Sequence, residues 1–396
     1  MKHLFALLLL ALAATGCEKH DDVPTRPTEQ TLLMYLPWSG NLTSFFLTNI
    51  DDMKKTLRAG TPEGSRVVVF FMESPAAGRL FELVRSGSEV RERELATYDR
   101  PAVTTAEGIA AILRDVVRLA PARRYGLTIG CHGMAWLPVD APHAADGERH
   151  ALPAEKEHWE LTDADGLPLT RWFGGTTPAY QTEIATLGAA IGAAGMHPEF
   201  ILFDDCYMAS VEVAYELRNV TDRLIASTCE IMSYGFPYER VGRYLLGTVD
   251  YEAVCDAFHE FYSSYSTPCG TISVTDCRQL EALAAVMRRI NVRTDNRIVD
   301  RAQLQAFDGY SPARFFDLGD YVRQLCGDEA LRGEFERQLE RTVPAALRRH
   351  TPYFYAATSG LHPIRTYSGI TCSDPSEAPA TAAKEQTAWW QATHGR

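Results

Sequence analysis

The amino-acid sequence predicts an α/β protein in which helices cover both faces of a mainly parallel sheet. Short apolar runs alternate with amphipathic stretches from residue 31 onward, as in repeated strand and helix units. Several of these runs, such as Val67–Phe71, are apolar at every position. Continuous apolar runs of this length are typical of strands that are buried on both faces of a parallel sheet.

In the first half of the chain, three strand predictions depend on such apolar runs, at 31–36, 66–72 and 125–130. A hairpin is predicted at 79–84 and 90–95, because Ser86-Gly87-Ser88 separates the two runs. Apolar residues at helical spacing predict helices at 45–58 and 105–119, the second capped by Thr104 or Thr105. The stretch 134–180 has no sustained periodicity and is predicted to be a long irregular insertion.

The second half continues the alternation and then becomes mostly helical. Strands are predicted at 199–203, 224–227 and 271–275, with a last strand at 364–371. Helices are predicted at 181–194, 207–217, 251–264, 279–292, 318–326, 331–348 and 385–392, with a loop at 228–238. The chain should therefore end in a mostly helical extension.

The amino terminus predicts export from the cell. Met1, Lys2 and His3 precede an apolar run at 4–14, and small residues lead from there to Cys17. A charged start followed by a short apolar core is the pattern of a signal peptide. The residues before Cys17 resemble the lipobox of bacterial lipoproteins, which implies that Cys17 is lipidated. The alternative is an ordinary signal peptide that happens to contain a cysteine.

These features predict a lipoprotein signal peptide at 1–17 and a polar, proline-containing tether at 18–30. The run Lys19-His20-Asp21-Asp22 resembles the acidic export signal of surface lipoproteins in the Bacteroides group. We therefore expect a monomer in the cell envelope, anchored to the outer membrane through Cys17 and displayed at the surface. After residue 17, no apolar run reaches the roughly 20 residues of a membrane-spanning helix.

Charge and cysteine usage limit the partners and cofactors of the chain. The formal net charge is −12 and no basic cluster interrupts it, which argues against a nucleic-acid partner. The cysteines after Cys17 are irregularly spaced and fit no zinc ribbon, so most are expected to be buried thiols. The sequence leaves open whether Cys269 forms a disulfide with Cys277 or with Cys255.

Two predicted strands end in residues that could carry chemistry. One runs through Leu127–Ile129 to Cys131-His132-Gly133, and the other runs through Phe200–Phe203 to Asp204-Asp205-Cys206. Because ligands bind at the carboxyl ends of parallel strands, His132 and Cys206 can meet if their strands are neighbours. A predicted helix directly after Cys206 would favour its thiolate. Cys131 is expected to be a core thiol, and Asp205 a structural carboxylate that points away from Asp204.

An apolar strand followed by His-Gly, and another followed by Asp-x-Cys, resembles the signature of the caspase-like cysteine peptidases. The continuation from Asp204 to Leu217 resembles the clostripain family, as do Leu33–Leu36 with Asn41-Leu42, the Tyr234–Tyr238 segment, Ser368-Gly369-Ile370 and Trp389–Gly395. The resemblance spans residues 31–396. It implies a caspase-like αβα sandwich, with a catalytic domain at 31–290 and a C-terminal helical region at 291–396 packed on the core.

The resemblance also implies roles for individual residues. Cys206 would be the nucleophile, His132 the general acid and base, and the backbone amides of Gly133 and Cys206 the oxyanion hole. Cleavage after Arg or Lys would use Asp204 and, in the loop after the next strand, Glu230. The substrate is then a protein or peptide, and the chain would be an endopeptidase. A catalytically silent binding lipoprotein of the same fold, or a peptidase with another specificity, is the alternative.

The insertion between the two motifs suggests processing of the chain. Relatives are cut between the His and Cys elements, so we expect self-cleavage in the 134–180 loop, with Arg149, Lys156 and Arg171 as candidate sites. The same loop contains His143, His150 and His158, whose spacing fits no standard metal site. No cofactor or metal is therefore predicted. A calcium requirement is suggested by the resemblance alone.

Overall fold

The computed structural model describes residues 27–138, 180–294 and 299–395. Its strands are β1 (Thr28–Leu36), β2 (Ser65–Ser74), β3 (Ala77–Ser86), β4 (Glu89–Asp99), β5 (Ala122–Ile129), β6 (Pro198–Phe203), β7 (Arg223–Ala226), β8 (Thr271–Asp276), β9 (Phe316–Asp317), β10 (Arg348–His350), β11 (Tyr353–Ala356), β12 (Gly360–Pro363) and β13 (Thr371–Cys372). Its helices are α1 (Thr43–Ala59), α2 (Ala106–Leu119), α3 (Ile184–Ala193), α4 (Val211–Leu217), α5 (Tyr238–Leu245), α6 (Tyr251–Ser263), α7 (Leu280–Thr294), α8 (Leu318–Leu325), α9 (Glu329–Thr342) and α10 (Ala388–His394).

A nine-stranded sheet in the order β10-β8-β7-β6-β5-β1-β2-β3-β4 forms the centre of the molecule. The five strands from β7 to β2 run parallel to one another. The hairpin β3–β4 extends one side of the sheet in antiparallel fashion, and β8 and β10 extend the other. The central strands are buried on both faces, which explains why their sequences lack the alternation of a half-exposed strand.

Two hydrophobic layers cover the two faces of this sheet. On one face, α1, α5 and α6 pack around residues such as Phe46, Val241 and Phe258. On the other face, α2, α3, α4 and α7 pack around residues such as Ile112 and Leu187. The predicted αβα sandwich with a mainly parallel sheet and a helical C-terminal region is therefore confirmed. Below, these layers are called the α1 layer and the α2 layer.

Most predicted elements are present within a few residues of their expected ends, and the Thr105 side chain caps α2 by accepting a hydrogen bond from the Gly108 N–H. The predicted helix 331–348 is too long. It ends at Thr342 because Pro344 cannot continue it, and residues 348–350 instead form β10 against β8. The predicted last strand 364–371 is wrong, because residues 364–370 are irregular and only Thr371 belongs to a strand, β13. Helix α5 was not predicted. It begins at Tyr238, the last residue of the predicted loop, and no element was predicted between that loop and residue 251.

The predicted helix 207–217 is wrong at its start. Helix α4 begins only at Val211, and Tyr207 has a φ of +64°, which is incompatible with a helix. The intervening residues are held by the neighbouring strand ends instead, since Tyr207 N–H donates to Cys229 O and Ala209 N–H donates to Ser227 O. Cys206 therefore does not lie at a helix N-terminus, and the expected support of its thiolate by a helix dipole is absent.

The region after residue 291 contributes strand β10 to the central sheet. It also contains a separate two-stranded sheet, formed by β13 and β9. The insertion and the amino terminus are outside the described residues for the most part, including Cys17, His143, His150, His158, Arg149, Lys156 and Arg171. Among the helices that the structure describes, none is long and apolar enough to span a bilayer.

Candidate active site

His132 and Cys206 occupy equivalent positions at the carboxyl ends of neighbouring strands. Ile129 of β5 pairs with Phe203 of β6, and each of the two candidate residues follows three positions later. The junction is fixed by Asp204 N–H, which donates to Ile129 O at 2.8 Å. Both side chains are buried, His132 at 2% and Cys206 at 0% exposure. The parallel register therefore brings the two predicted residues to one point on the sheet edge.

Asn41, which lies beyond the end of β1, orients the His132 ring. Its Oδ1 lies 3.0 Å from His132 Nε2 and 3.1 Å from Trp38 Nε1. An indole N–H is a donor only, so the Asn41 atom that it contacts must be the oxygen. His132 Nε2 then also donates to that oxygen, and Nδ1 is the basic nitrogen of the neutral ring. In the sequence, Asn41 was visible only as part of the family resemblance, without a predicted role.

Gly133 packs directly on the backbone of Cys206. A Cβ atom at this glycine would lie 2.3 Å from Cys206 O and 2.8 Å from Cys206 N, closer than any real contact. The Cys206 Sγ accepts a hydrogen bond from Ile231 N–H at 3.4 Å. The two amides predicted for an oxyanion hole are thus adjacent, and the loop after β7 closes the site from the other side.

The two acidic residues predicted to bind a basic side chain are both buried near Cys206. Asp204 Oδ1 accepts a hydrogen bond from Phe236 N–H at 2.9 Å, and Phe236 lies in the core of the α1 layer. Glu230 Oε1 accepts hydrogen bonds from Tyr207 O–H at 2.7 Å and from Ala357 N–H at 3.1 Å. Each acid therefore keeps a carboxylate beside the nucleophile and also holds one of the loops around it.

Asp205 and Cys131 have structural surroundings, as predicted from the alternation of the strand. Asp205 Oδ1 accepts a hydrogen bond from Cys131 N–H at 2.5 Å, which ties the ends of β6 and β5 together. Cys131 is fully buried in the core on the α2 side of the sheet.

A loop from the C-terminal region reaches the site, and the sequence offered no signal for it. Asp308 accepts hydrogen bonds from three backbone N–H groups between residues 310 and 315, which fold this loop. Phe315 stacks on Tyr207 with ring centroids 4.9 Å apart, and Tyr310 O–H lies 3.6 Å from Met134 Sδ. Residues far apart in the chain thus enclose Cys206.

Glu212 fastens the C-terminal segment to the loop that follows Cys206. Its Oε1 accepts hydrogen bonds from Ser373 N–H at 2.7 Å and Ser373 O–H at 2.6 Å, and Ser210 O–H donates to its Oε2. Burial raises the pKa of the Glu212 carboxyl to about 6, against the effect of these donors. Thr371 N–H adds a backbone bond to Ala209 O.

Replacing Glu212 by glutamine should change how stability depends on pH. The folded-state pKa of about 6 lies above the ordinary 4.5, so this group's contribution is complete below pH 4.5 and is lost as the pH rises through 6. Glutamine cannot titrate and can still pair with Ser210 and Ser373. The free energy of unfolding of Glu212→Gln relative to wild type should therefore rise by about 2 kcal/mol between pH 4.5 and 7.

Denaturant titrations at several pH values would measure this difference. Glu216→Gln serves as the matched control, because it removes a partly exposed glutamate from the same helix. A difference between wild type and Glu212→Gln that stays constant with pH would contradict the prediction.

The cysteines other than Cys17 are buried, and none of them is joined in a disulfide. The pairing of Cys269 with Cys277 is excluded, because β8 separates them by roughly 20 Å and a disulfide needs Cα atoms within about 7 Å. Cys255 and Cys269 are likewise unbridged. Within 27–138, 180–294 and 299–395, no group of three or more His, Cys, Asp or Glu residues could hold a metal ion.

An αβα sandwich with a histidine and a cysteine at adjacent strand ends is the arrangement of a caspase-like cysteine peptidase. The chain belongs to the clostripain family of these enzymes. Residues 164–316 match the model of that family. Membership in this family supports the prediction that the protein is a cysteine peptidase.

Solved structures support this assignment over most of the chain. The secreted C11 cysteine protease "iotapain" of Bacteroides thetaiotaomicron is 48% identical, with a TM-score of 0.83 over 93% of this chain and 100% of its own. A clostripain of the same species, in complex with a peptide inhibitor, is 53% identical with a TM-score of 0.54 over 56% of this chain and 99% of its own. An inactive zymogen C11 protease of Parabacteroides distasonis is 25% identical, with a TM-score of 0.75 over 93% and 99%. A comparison with curated proteins found no similar sequence.

Proposed function

We propose that this protein is an endopeptidase in which Cys206 is the nucleophile and His132 the general acid and base. The observation that carries the proposal is the equivalent placement of the two residues on neighbouring strands, with Gly133 packed against the Cys206 backbone. A neutral thiol is a weak nucleophile, so a base beside it is required.

The proposed reaction uses the Nδ1 of His132 to take the thiol proton. The Cys206 sulfur attacks the scissile carbonyl carbon, the carbon–nitrogen bond breaks, and the proton passes from His132 to the leaving amine. A water molecule, deprotonated by His132, then hydrolyses the thioester and frees the Cys206 thiol. Asn41 acts as a positioning residue, because it holds Nε2 and so directs Nδ1 toward the reacting atoms.

The backbone amides of Gly133 and Cys206 form the proposed oxyanion hole. The absence of a side chain at Gly133 supports this role, since the backbone can approach both Cys206 and a substrate carbonyl. Donors fixed in advance stabilise the negative charge of the tetrahedral intermediate without reorganisation.

Cleavage after Arg or Lys is the specificity that we propose. Asp204 and Glu230 are two buried carboxylates on either side of the nucleophile loop, and a buried acid pairs favourably with a guanidinium or ammonium group. The inhibitor bound by the Bacteroides thetaiotaomicron clostripain is written BTN-VLTK-AOMK, so its peptide part ends in lysine. This similarity supports a basic residue before the scissile bond.

Removing the charge of Asp204 should lower activity on basic substrates selectively. Asp204→Asn keeps an oxygen that can accept from Phe236 N–H, so the loop should stay in place. We expect kcat/KM for peptides with Arg or Lys before the scissile bond to fall on the order of 100-fold, because a buried charge pair loses one partner. Glu230→Gln should give a smaller loss, because Glu230 already binds two donors.

A peptide library profiled with wild type and with each variant would measure this effect. Peptides with a neutral residue before the scissile bond are the internal control, since their turnover should change little. An equal loss on both kinds of peptide, or a wild type without preference for Arg or Lys, would remove Asp204 and Glu230 from this role and favour a different specificity.

Three further features belong to the proposal. The chain would be cleaved by itself within 134–180, at Arg149, Lys156 or Arg171. Lipidation of Cys17 would hold a monomer at the outer membrane, on its exposed surface; the similar protease iotapain is described as secreted. A calcium requirement stays a prediction of the family resemblance, and no step above uses a metal ion.

A further inference from the structure

A cavity of about 100 Å³, lined mainly by apolar residues together with Ser39 and Thr104, lies near His132 and is not used by the mechanism. None of the described residues that line it is charged. Its walls include Trp38, Met72, Pro75, Pro101, Val103 and Tyr180. The volume lies between that of a water molecule, roughly 30 Å³, and the roughly 150 Å³ that holds a benzene ring, which suits one aliphatic side chain.

The order of the strands in the sheet places this cavity in one row with Cys206 and His132. Cys206 follows β6, His132 follows β5, Trp38 follows β1 and Pro75 follows β2, and these four strands are consecutive neighbours in the sheet. Neighbouring strands are about 4.8 Å apart, so the cavity lies roughly 10–12 Å from the nucleophile strand. An extended peptide covers that distance with about three residues.

The proposed reaction determines on which side of Cys206 the residues after the scissile bond lie. His132 must reach the leaving nitrogen to protonate it, so the residues after the scissile bond depart on the His132 side of Cys206. Asp204 contacts the α1 layer through Phe236, whereas Met72 of the cavity belongs to the α2 layer. In the sheet order, His132, which follows β5, lies between the end of β6, followed by Asp204, and the ends of β1 and β2, where the cavity lies.

Trp38 joins the cavity to the catalytic groups. Its ring lines the cavity, its Nε1 donates to Asn41 Oδ1, and its centroid lies 6.4 Å from that of His132. Tyr180 packs edge-on against Trp38 at 5.2 Å and is 39% exposed, which leaves an aromatic surface at the rim. A side chain in this cavity would contact the tryptophan that also holds Asn41.

We propose that this cavity is a subsite for an aliphatic side chain of the substrate, located within the first three residues after the scissile bond. The inference rests on the proposed function and adds a second determinant of specificity, on the leaving side. Substrates should then combine a basic residue before the bond with Leu, Ile, Val or Met at one of these positions. The apolar lining would disfavour Glu or Lys there.

Internally quenched peptides with a fixed sequence before the bond, varied at each of the three positions after it, would test the subsite. Wild type should prefer an aliphatic over a charged residue at one position by about tenfold in kcat/KM. Val103→Glu, in the wall, and Ala102→Glu, at the exposed rim, should remove that preference and favour Lys. Ala102 is exposed, so this second variant keeps the test valid if Val103→Glu does not fold.

Thr97→Glu is the matched control, because it adds the same charge at an exposed position of β4 outside the cavity and should keep the wild-type profile. A flat wild-type profile at all three positions, or a preference that survives both cavity variants, would overturn the subsite while leaving the proposed function intact. Cleavage that persists in Cys206→Ala would overturn the proposed function itself.

Discussion

Cys206→Ala should abolish peptide cleavage, with a loss of at least about 10⁴-fold in kcat. The reason is that alanine cannot form the thioester through which the proposed reaction passes, and the oxyanion donors alone supply only a small part of the rate. The substitution removes one sulfur atom from a buried position, so the fold should persist. Hydrolysis of a Lys- or Arg-containing fluorogenic peptide measures the loss.

Cys277→Ala is the matched control for this experiment. Cys277 is also a free, buried thiol, but it follows β8 at the opposite edge of the sheet, where Asp276 pairs with Arg223 at the start of β7. It should therefore keep wild-type activity. If Cys206→Ala retained activity while Cys277→Ala lost it, the assignment of the nucleophile would be wrong.

The same variant tests self-processing. Wild type should separate into two bands under denaturing conditions, whereas Cys206→Ala should remain one chain. An active wild-type preparation that consists only of intact chain would refute cleavage in the 134–180 loop, without affecting the role of Cys206.

Gly133→Ala should reduce kcat by about 10²–10³-fold, the cost of displacing an oxyanion donor. The added methyl group would lie 2.3 Å from Cys206 O, and that neighbour is backbone, which cannot rotate away. The loop after β5 or the loop after β6 must then shift, which separates the two amides. We also expect a loss of about 1–3 kcal/mol in the free energy of unfolding, as for other overpacked sites.

Steady-state kinetics and thermal unfolding of Gly133→Ala would measure both effects. Gly188→Ala is the matched control, because its Cβ would meet only Leu217 Cδ2 at an ordinary 3.5 Å in the middle of α3. This control should keep full activity and gain about 0.5–1 kcal/mol in stability. Unchanged activity in Gly133→Ala would exclude a tight oxyanion hole at this glycine.

The parts of the fold that could be predicted share one physical cause. Strands such as β2 and β6 are apolar on both faces because helices cover both sides of the sheet, and this leaves a continuous apolar run in the sequence. This apolar run is absent from β10. Its residues Arg348-Arg349-His350 have no strand pattern, and they are extended only because they pair with β8. The start of α4 was misjudged for a similar reason. Local helical spacing continues back to Tyr207, but bonds to residues 227 and 229 hold that segment in a turn outside the helix.

The sequence by itself indicated the class of the protein and predicted its two candidate catalytic residues, His132 and Cys206. These residues follow strands that are visible locally, and parallel strands bring their carboxyl ends to one edge. Only the tertiary structure decided what surrounds them. Asn41 reaches His132 across 91 residues of chain, and the Tyr310 loop reaches Met134 across 176. Such contacts depend on which strands become neighbours and which loops cross their ends, and hydrophobic periodicity contains no information about that order.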